Sequence, residues 1–334
     1  MPPASAAQPT IDVVIPVHGG WEHTRRCLAH LAAQTVPHTA IVVDNASPDD
    51  TLARLRADFP AVRVVAMGEN AGFARAANAG AAAGDAELVV LLNNDVDCAP
   101  DFLALLAAPF ADPAVGSVAP LLLRPGGERI DALGIVADPT LACFVRLQGA
   151  PVAAAGGAEA GAAPPLLGPH GAAAAYRRRA LEQIGGFDER IFMYGEDLDV
   201  ALRLRGAGWR AVALPAARAV HVGGATAGKR SAWQRERGGF GRGYLLRRYG
   251  VLRGRAAPRA LLTELLVVAG DLAISRDAAA LRGRLAGWRA GGGLAPREAP
   301  PQPRASGIGF RESLRLRRAD YVGQAQEFPH PRNN

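Results

Sequence analysis

The stretch Glu87-Leu88-Val89-Val90-Leu91-Leu92-Asn93-Asn94-Asp95-Val96-Asp97 sets the reading of the whole chain, because five consecutive apolar residues run directly into two amides and two closely spaced carboxylates. An uninterrupted apolar run of this kind reads as a strand buried on both faces, as in a parallel sheet covered by helices. Working outward, Ile11–Val17, Ala40–Val43 and Val62–Ala66 are three more short apolar strands, and Trp21–Ala33, Asp50–Asp58 and Phe73–Ala83 carry helical spacing between them. Strand alternating with helix predicts an α/β chain with a Rossmann-like, mostly parallel sheet flanked by helices. In such sheets the ligand sits beyond the carboxyl ends of the strands. Each end is polar here: His18 follows the first strand, Asp44 and Asn45 the second, Glu69 and Asn70 the third, and the Asn93–Asp97 run the fourth.

The 334 residues are 49% hydrophobic, enough to bury a sizeable core and to exclude wholesale disorder. Cys27, Cys98 and Cys143 lie far apart, with no C-x-x-C pair, so neither a disulfide scaffold nor a structural zinc is expected. The first ten residues carry no basic and apolar segments of a secretory leader, and the expectation is a cytoplasmic protein. The net charge of +7 is unevenly spread: residues 229–334 hold 21 Lys/Arg against 8 Asp/Glu, whereas the preceding part is acidic on balance. A basic tail on an acidic body fits a catalytic part joined to a segment that meets an anionic surface or substrate.

Past the fourth strand the pattern loosens. Residues 121–168 are irregular, and Gly149–Pro165, rich in Ala, Gly and Pro, reads as a mobile loop. Arg177–Ile184 reads as a helix closed by Gly185-Gly186, and Gly195-Glu196-Asp197-Leu198-Asp199 opens another that runs to about Arg205. Ala211–Leu214 is a further strand, and His221 lies in a Gly-rich loop beyond it. The apolar segment Ala260–Ser275 contains Glu264 and Asp271 and is too short and too charged to span a bilayer. With Arg247, Arg248, Arg253, Arg255 and Arg259 before it and Arg282 and Arg284 after it, the segment suits either a membrane interface or a helix packed on the body with a solvated basic face. From Gly291 onward the composition predicts little structure. The division expected is a disordered 1–9, two halves of one catalytic domain at 10–120 and 121–228, a basic helical extension at 229–290 and a tail at 291–334.

Several residues have chemistry in reach. Asp95 and Asp97, at a strand end, are oxygen ligands suited to a divalent metal that bridges a diphosphate, although D-x-D alone is also the pattern of an Asx turn. Asp44 can accept the imide N–H of uracil or thymine, and can equally cap the segment after Pro48. Asn70-Ala71-Gly72-Phe73-Ala74-Arg75-Ala76-Ala77-Asn78 couples a glycine turn to a helix start, which offers backbone N–H groups to an anion. Glu196, Asp197 and Asp199 cluster at a helix start, where one can act as general base toward a hydroxyl, and His221 can ligate metal or phosphate. Gly223–Arg230 has the spacing of a P-loop but puts Arg230 where the hydroxyl residue is required, so an ATPase is excluded.

Together, Val13-Val14-Ile15-Pro16-Val17, Val42-Val43-Asp44-Asn45-Ala46-Ser47, Glu69–Ala74, Asn93–Asp97, Gly185-Gly186-Phe187-Asp188-Glu189 and Gly195–Asp199 with Arg203 resemble, in order over about residues 10–225, the family 2 glycosyltransferases, and within them the bacterial rhamnosyltransferase-like branch. The resemblance implies a GT-A fold and a UDP- or dTDP-sugar donor. It also implies a divalent cofactor (Mn²⁺ or Mg²⁺), transfer with inversion, and a glycan or polyprenyl-linked acceptor in cell-surface polysaccharide synthesis. Carried onto this chain, it places Pro16, Val17, His18, Asp44, Asn45, Asn70, Gly72, Phe73, Asn78, Asn94 and Asp95 on the donor side. Asp95, Asp97 and His221 would hold the metal, Asp197 would be the base, and Glu196 and Asp199 would position the acceptor or that base. His18-Gly19 stands where many relatives have Tyr-Asn, and the Gly149–Pro165 loop has no clear counterpart. Two other readings fit the sequence less well. A sugar-nucleotide nucleotidyltransferase should carry a basic triphosphate loop after its first strand, but the first basic side chain beyond His18-Gly19-Gly20-Trp21 is Arg25. A nucleic-acid-binding protein working through the basic tail should have aromatics among its arginines, and few are present. Peripheral membrane contact through the basic part is expected, and nucleic acid is not.

Overall fold

The computed structural model describes residues 9–159, 164–223 and 231–322. Its first third is the expected alternation: β1 (Ile11–Val17), α1 (Trp21–Ala32), β2 (Thr39–Asp44), α2 (Thr51–Asp58), β3 (Arg63–Ala66), α3 (Gly72–Ala82) and β4 (Leu88–Leu92). All five residues of β4 are buried, as its unbroken apolar run requires. The next elements are β5 (Val96–Cys98), α4 (Phe102–Ala107) and β6 (Val115–Leu123), followed by β7 (Ile130–Ala132) and the hairpin β8 (Ile135–Ala137) and β9 (Cys143–Val145). Then come α5 (Ala154–Glu159), β10 (Ala173–Arg177), α6 (Arg178–Gln183), α7 (Glu196–Gly206) and β11 (Arg210–His221).

Among the described residues one nine-stranded sheet runs β3-β2-β1-β4-β10-β6-β11-β5, with β7 beside β6. The half formed by β3, β2, β1 and β4 is parallel, so the polar residues after β1, β2 and β4 emerge on one edge. The strand β10 enters antiparallel between β4 and β6, and β11 returns parallel to β6. That return brings His221 opposite Val96, directly after the Asn93–Asp95 run. Helices cover both faces, with Trp21, Leu28, Phe102 and Leu103 in the core on one side and Ala74, Ala77, Phe187 and Val200 on the other. Gly80 of α3 sits where a Cβ would overlap Val14, which is how an Ala/Gly helix lies so close to the sheet.

The segment after Ser231 holds α8 (Ala232–Arg248), α9 (Ala257–Ser275), α10 (Ala279–Ala290), α11 (Gln302–Ala305) and α12 (Phe310–Val322). Helices α8 and α10 pack backbone to backbone through Gly239, Gly243, Gly283 and Gly287, each without room for a Cβ. Three expectations are corrected here. Residues 291–322 are not a loose tail: Ile308 and Leu316 are buried against Val136 and Phe144 of the hairpin. The Gly149–Pro165 stretch carries α5, with Ala155 buried; residues 160–163 lie outside the description, as do residues 1–8 and the near-P-loop beyond Gly223. The arginines, finally, are divided: Arg248 is buried, Arg247 stacks on Trp288 at 4.8 Å and Arg259 bonds Asp138 at 2.8 Å, whereas Arg253, Arg255 and Arg282 stay exposed. The basic composition is therefore partly spent on holding the extension to the body.

Glu264 is the hub of this attachment. Arg242 and Arg284 each donate to it at 2.8 Å, and Arg317 lies 3.8 Å away. Burial opposes its charge, yet the three guanidiniums bring its pKa down to about 2. A depressed carboxylate stabilises the fold fully above its unfolded pKa, near 4.5, and that contribution is lost as pH falls toward 2. Glu264→Gln leaves buried arginines without their counter-charge, and the expected cost is about 3–5 kcal/mol in denaturant unfolding at neutral pH. The deficit relative to the parent should shrink as pH is lowered below about 4.5.

Candidate active site

The carboxyl edge of the sheet gathers side chains from segments far apart in the chain. Asp44, the last residue of β2, is 2% exposed; its Oδ2 accepts only a long bond from Ser47 N, at 3.4 Å, and its buried Oδ1 has no partner. An unsatisfied buried acceptor carries a desolvation cost that a ligand N–H removes. Beside it, His18 Nδ1 meets the Asn45 carbonyl at 3.0 Å. The Asn45 side chain does not face a ligand. Its amide donates to Asn70 Oδ1 and to the Gly72 carbonyl, and its oxygen accepts from Ala71 N at 2.9 Å, which staples the turn into α3.

Asn70 closes that turn by accepting Gly72 N. Gly72 (φ +84°) is required twice, by its left-handed backbone and because a Cβ there would overlap Phe192. Phe73 N donates to the Phe192 carbonyl at 2.7 Å, and the Phe73 ring meets Phe187 edge-on. Asn78 is corrected from the donor side: its side chain binds both N and O of Phe187 and donates to Glu189, so its polar capacity goes into the Gly185–Glu189 loop. Asn94 donates to Thr24 and Gly19, locking the end of β4 to the first loop, where Pro16 and Val17 complete β1.

Asp95 lies at the centre. It is 6% exposed, its buried Oδ1 accepts no hydrogen bond, and His221 Nε2 stands 3.4 Å from that oxygen. Val222 N donates to the Asp95 carbonyl at 3.0 Å, so the end of β11 is fixed against the end of β4. The other imidazole nitrogen, Nδ1, is 2.7 Å from Asp131 Oδ2 on β7. Burial disfavours the imidazolium, but the two carboxylates outweigh it and push His221 up to about 9. Asp97 is corrected. Its side chain is bonded by Arg26 at 2.9 Å, with His30 at 3.8 Å, both from α1, rather than pairing with Asp95.

The base candidates separate cleanly. Tyr194 (φ +68°) and Gly195 (φ +107°) are both left-handed, and this turn opens α7 with Glu196 and Asp197. Behind it, Gly241 of α8 presses on the Tyr194 carbonyl where no Cβ would fit. Asp197 Oδ1 accepts Leu198 N at 2.7 Å, and the residue remains half-buried. Glu196 is buried with Oε2 unpartnered; burial, reinforced by the Asp197 charge, pushes it up to about 8. A Cβ on Gly171 would stand in van der Waals contact with both carboxylates, so the glycine leaves that space above them open. Asp199, expected to position the acceptor or the base, is wholly buried, with Arg203 at 2.7 Å, Arg297 at 2.6 Å and Tyr249 OH at 2.9 Å, so its side chain anchors α7 and does not reach an acceptor directly.

Two members of the cluster went unnoticed in the sequence. Asp131 orients His221, and His170 stands within electrostatic range of Asp197, Asp131 and His221, held below the usual histidine range by burial. His170 lies in the Gly168–Gly171 turn before β10, and such a turn opposite an acidic motif was the available signal.

Comparison with known proteins decides the family. The profile of Glycosyl transferase family 2 matches residues 12–185, more than half of the chain, and that of Glycosyl transferase family group 2 matches 158–281. The chain belongs to glycosyltransferase family 2. Over 250 residues this glycosyltransferase is 30% identical to N-acetylglucosaminyl-diphospho-decaprenol L-rhamnosyltransferase of Mycobacterium tuberculosis, covering 63% of the chain and 75% of the relative. It is also 30% identical over 222 residues to the O-antigen biosynthesis protein RfbC of Myxococcus xanthus, covering 64% of the chain but 17% of that larger protein. Among solved structures, the mannosyltransferase PcManGT of Pyrobaculum calidifontis, in complex with GDP-Man and Mn²⁺, superposes with a TM-score of 0.52 at 23% identity, covering 82% of this chain and 78% of that one. GalNAc-T7 with UDP, GalNAc and Mn²⁺ gives 0.53 at 14%, covering 73% and 49%. These two establish the GT-A fold.

Two outcomes follow. Asp199→Asn should cost about 3 kcal/mol or more in denaturant unfolding, because two buried guanidiniums lose their counter-charge, whereas Asp197→Asn should leave stability unchanged. For Glu196, a raised folded pKa means that stability is fully present below about 4.5 and declines as pH rises toward 8. Glu196→Gln should therefore melt above the parent by a margin that widens between about pH 5 and 8, as scanning calorimetry would show.

Proposed function

We propose that this enzyme transfers a sugar, rhamnose in the first instance, from a UDP- or dTDP-linked donor to a hydroxyl of a lipid-linked glycan, with inversion, in cell-surface polysaccharide synthesis. The observation that carries the reading is one sheet edge presenting three carboxylates in three states: an unsatisfied acceptor on Asp44, a buried and unpartnered Asp95 Oδ1 beside His221, and a half-buried Asp197 beyond them. Asp44 fits a pyrimidine imide N–H. The relatives that act on a diphospho-decaprenol glycan or build O-antigen supply the acceptor class.

The residues present fit a divalent cation. Asp95 supplies an oxygen with no other partner and His221 an imidazole whose far nitrogen is already oriented by Asp131, the arrangement that a carboxylate gives to metal-binding histidines. Among the described residues no three His, Cys, Asp or Glu side chains are arranged to hold an ion unaided, so remaining positions fall to phosphate oxygens and water, as is usual for Mg²⁺ or Mn²⁺ with nucleotides. When bound, the cation would offset charge on the departing diphosphate.

The chain's own groups account for the proton. Asp197 removes it from the acceptor hydroxyl as that oxygen attacks the anomeric carbon from the face opposite the diphosphate. The new C–O bond forms as the bond to the diphosphate breaks, and the electron pair leaves on the diphosphate, which inverts the centre. Glu196, protonated at neutral pH, can donate a hydrogen bond beside the charged Asp197 and hold the hydroxyl in line.

Calorimetric titration with UDP, TDP, GDP and CDP, with and without Mn²⁺ or Mg²⁺, tests the donor site. Metal-dependent binding of UDP or TDP is expected, and its loss in Asp95→Asn. In Asp197→Asn the titration should be unchanged while transfer falls by roughly 10²–10⁴-fold. Near-normal turnover in that variant would remove Asp197 from the role of base.

A further inference from the structure

Helix α9 is built inside out. Its acidic residues, Glu264 and Asp271, turn inward, Glu264 to Arg242 and Arg284 and Asp271 to Arg235 at 3.4 Å, and Arg259 in its first turn bonds Asp138. Its outward face consists of Leu261, Leu262, Leu265, Leu266 and Leu272, between 38% and 67% exposed, with Ala269 and Ala273 between them, and Ile274 is exposed off this face in the last turn. Single exposed leucines are ordinary on a protein surface, but a stripe of five on one helix marks a site that something covers. No helix among the described residues is long and apolar enough to cross a membrane, and α9 lies along the protein rather than through a bilayer.

Charge selects the partner. Exposed Arg253 and Arg255 precede the helix and exposed Arg276 follows it, while the two acids between them are sequestered. An apolar stripe bounded at both ends by guanidiniums and free of exposed carboxylates is complementary to an anionic lipid surface, whose headgroups meet the arginines while the leucines enter the acyl boundary. A protein partner or a second copy would not require that distribution.

Position links the stripe to the chemistry. The end of α9 is tied by Asp271 and Asp277 to Arg235 near the start of α8. Two residues earlier Trp233, 43% exposed, meets Phe192 edge-on at 6.1 Å, and Arg237 covers the Phe192 ring at 4.6 Å. Phe192 begins the turn that delivers Glu196 and Asp197. We infer that the outer face of α9 docks on an anionic bilayer surface and holds the Phe192–Asp197 side of the site toward the membrane. Contact with lipid rests on the helix alone; only its purpose, the reception of a lipid-linked acceptor, rests on the proposed function.

The test is co-sedimentation of the full chain with vesicles of equimolar phosphatidylglycerol and phosphatidylcholine, and with phosphatidylcholine alone. The parent should partition to the anionic vesicles in a salt-sensitive way, and Leu261→Gln/Leu265→Gln/Leu272→Gln should bind more than about tenfold more weakly. Melting and nucleotide titration should be unchanged in that variant, since all three side chains face outward. Equal partitioning of variant and parent would overturn the inference. So would a parent that remains in the supernatant, or that sediments as a dimer which the three changes dissociate. Absence of nucleotide binding in the parent would count against the transferase site alone and leave the vesicle result standing.

Discussion

The site depends on one imidazole held between two carboxylates. His221 reaches Asp131 through one nitrogen and faces Asp95 through the other, and so joins the ends of β4, β7 and β11, which are far apart in the chain. A buried charge survives only with such compensation, and without a cation the two acids favour the imidazolium despite burial; a cation bound at Nε2 would take the place of that proton. The triad sits where β11 pairs with β6 and β5, and so ties the far half of the sheet to the end of the parallel half.

The second dependence runs through the extension. Asp188 and Asp199, from the two acidic motifs of the chain's middle, are clamped by groups contributed from beyond residue 240: Tyr244 OH at 2.6 Å and Arg297 at 2.9 Å on the first, Tyr249 and Arg297 on the second. The basic tail is thus a structural brace for the loop and helix that carry Asp188 and Asp199, and its apolar surplus is displayed on one helix face. A motif of three acids divides its labour accordingly: Glu196 is neutral by burial, Asp197 faces the site, and Asp199 fixes α7 in place.

Local signals carried much of this. The unbroken apolar run Leu88–Leu92 and its polar successors identified a buried strand and a ligand edge, and the alternation around it identified the sheet, because burial on both faces leaves no room for a two-residue period. The same signals failed where a residue's role depends on distant partners. Nothing within the sequence around Asp97 announces Arg26, and nothing around Asn78 announces the Phe187 backbone. Asp131 and His170 were passed over for the same reason, each lying in an irregular stretch whose register is set only when β10 inserts antiparallel between β4 and β6. The inward turn of some of the tail arginines was likewise invisible, since a count of charges does not say which way they point.

On the proposed reading, Asp95 and His221, and not Asp97, form the protein half of a cation site at the edge of the sheet. Anomalous diffraction at the manganese edge from crystals soaked with Mn²⁺ and UDP or TDP tests it most directly. A single peak within coordination distance of Asp95 Oδ1 and His221 Nε2, with the diphosphate beside it, is the expected result. A peak bound by Asp97 after displacement of Arg26, or a diphosphate bound with no manganese near Asp95, would contradict it.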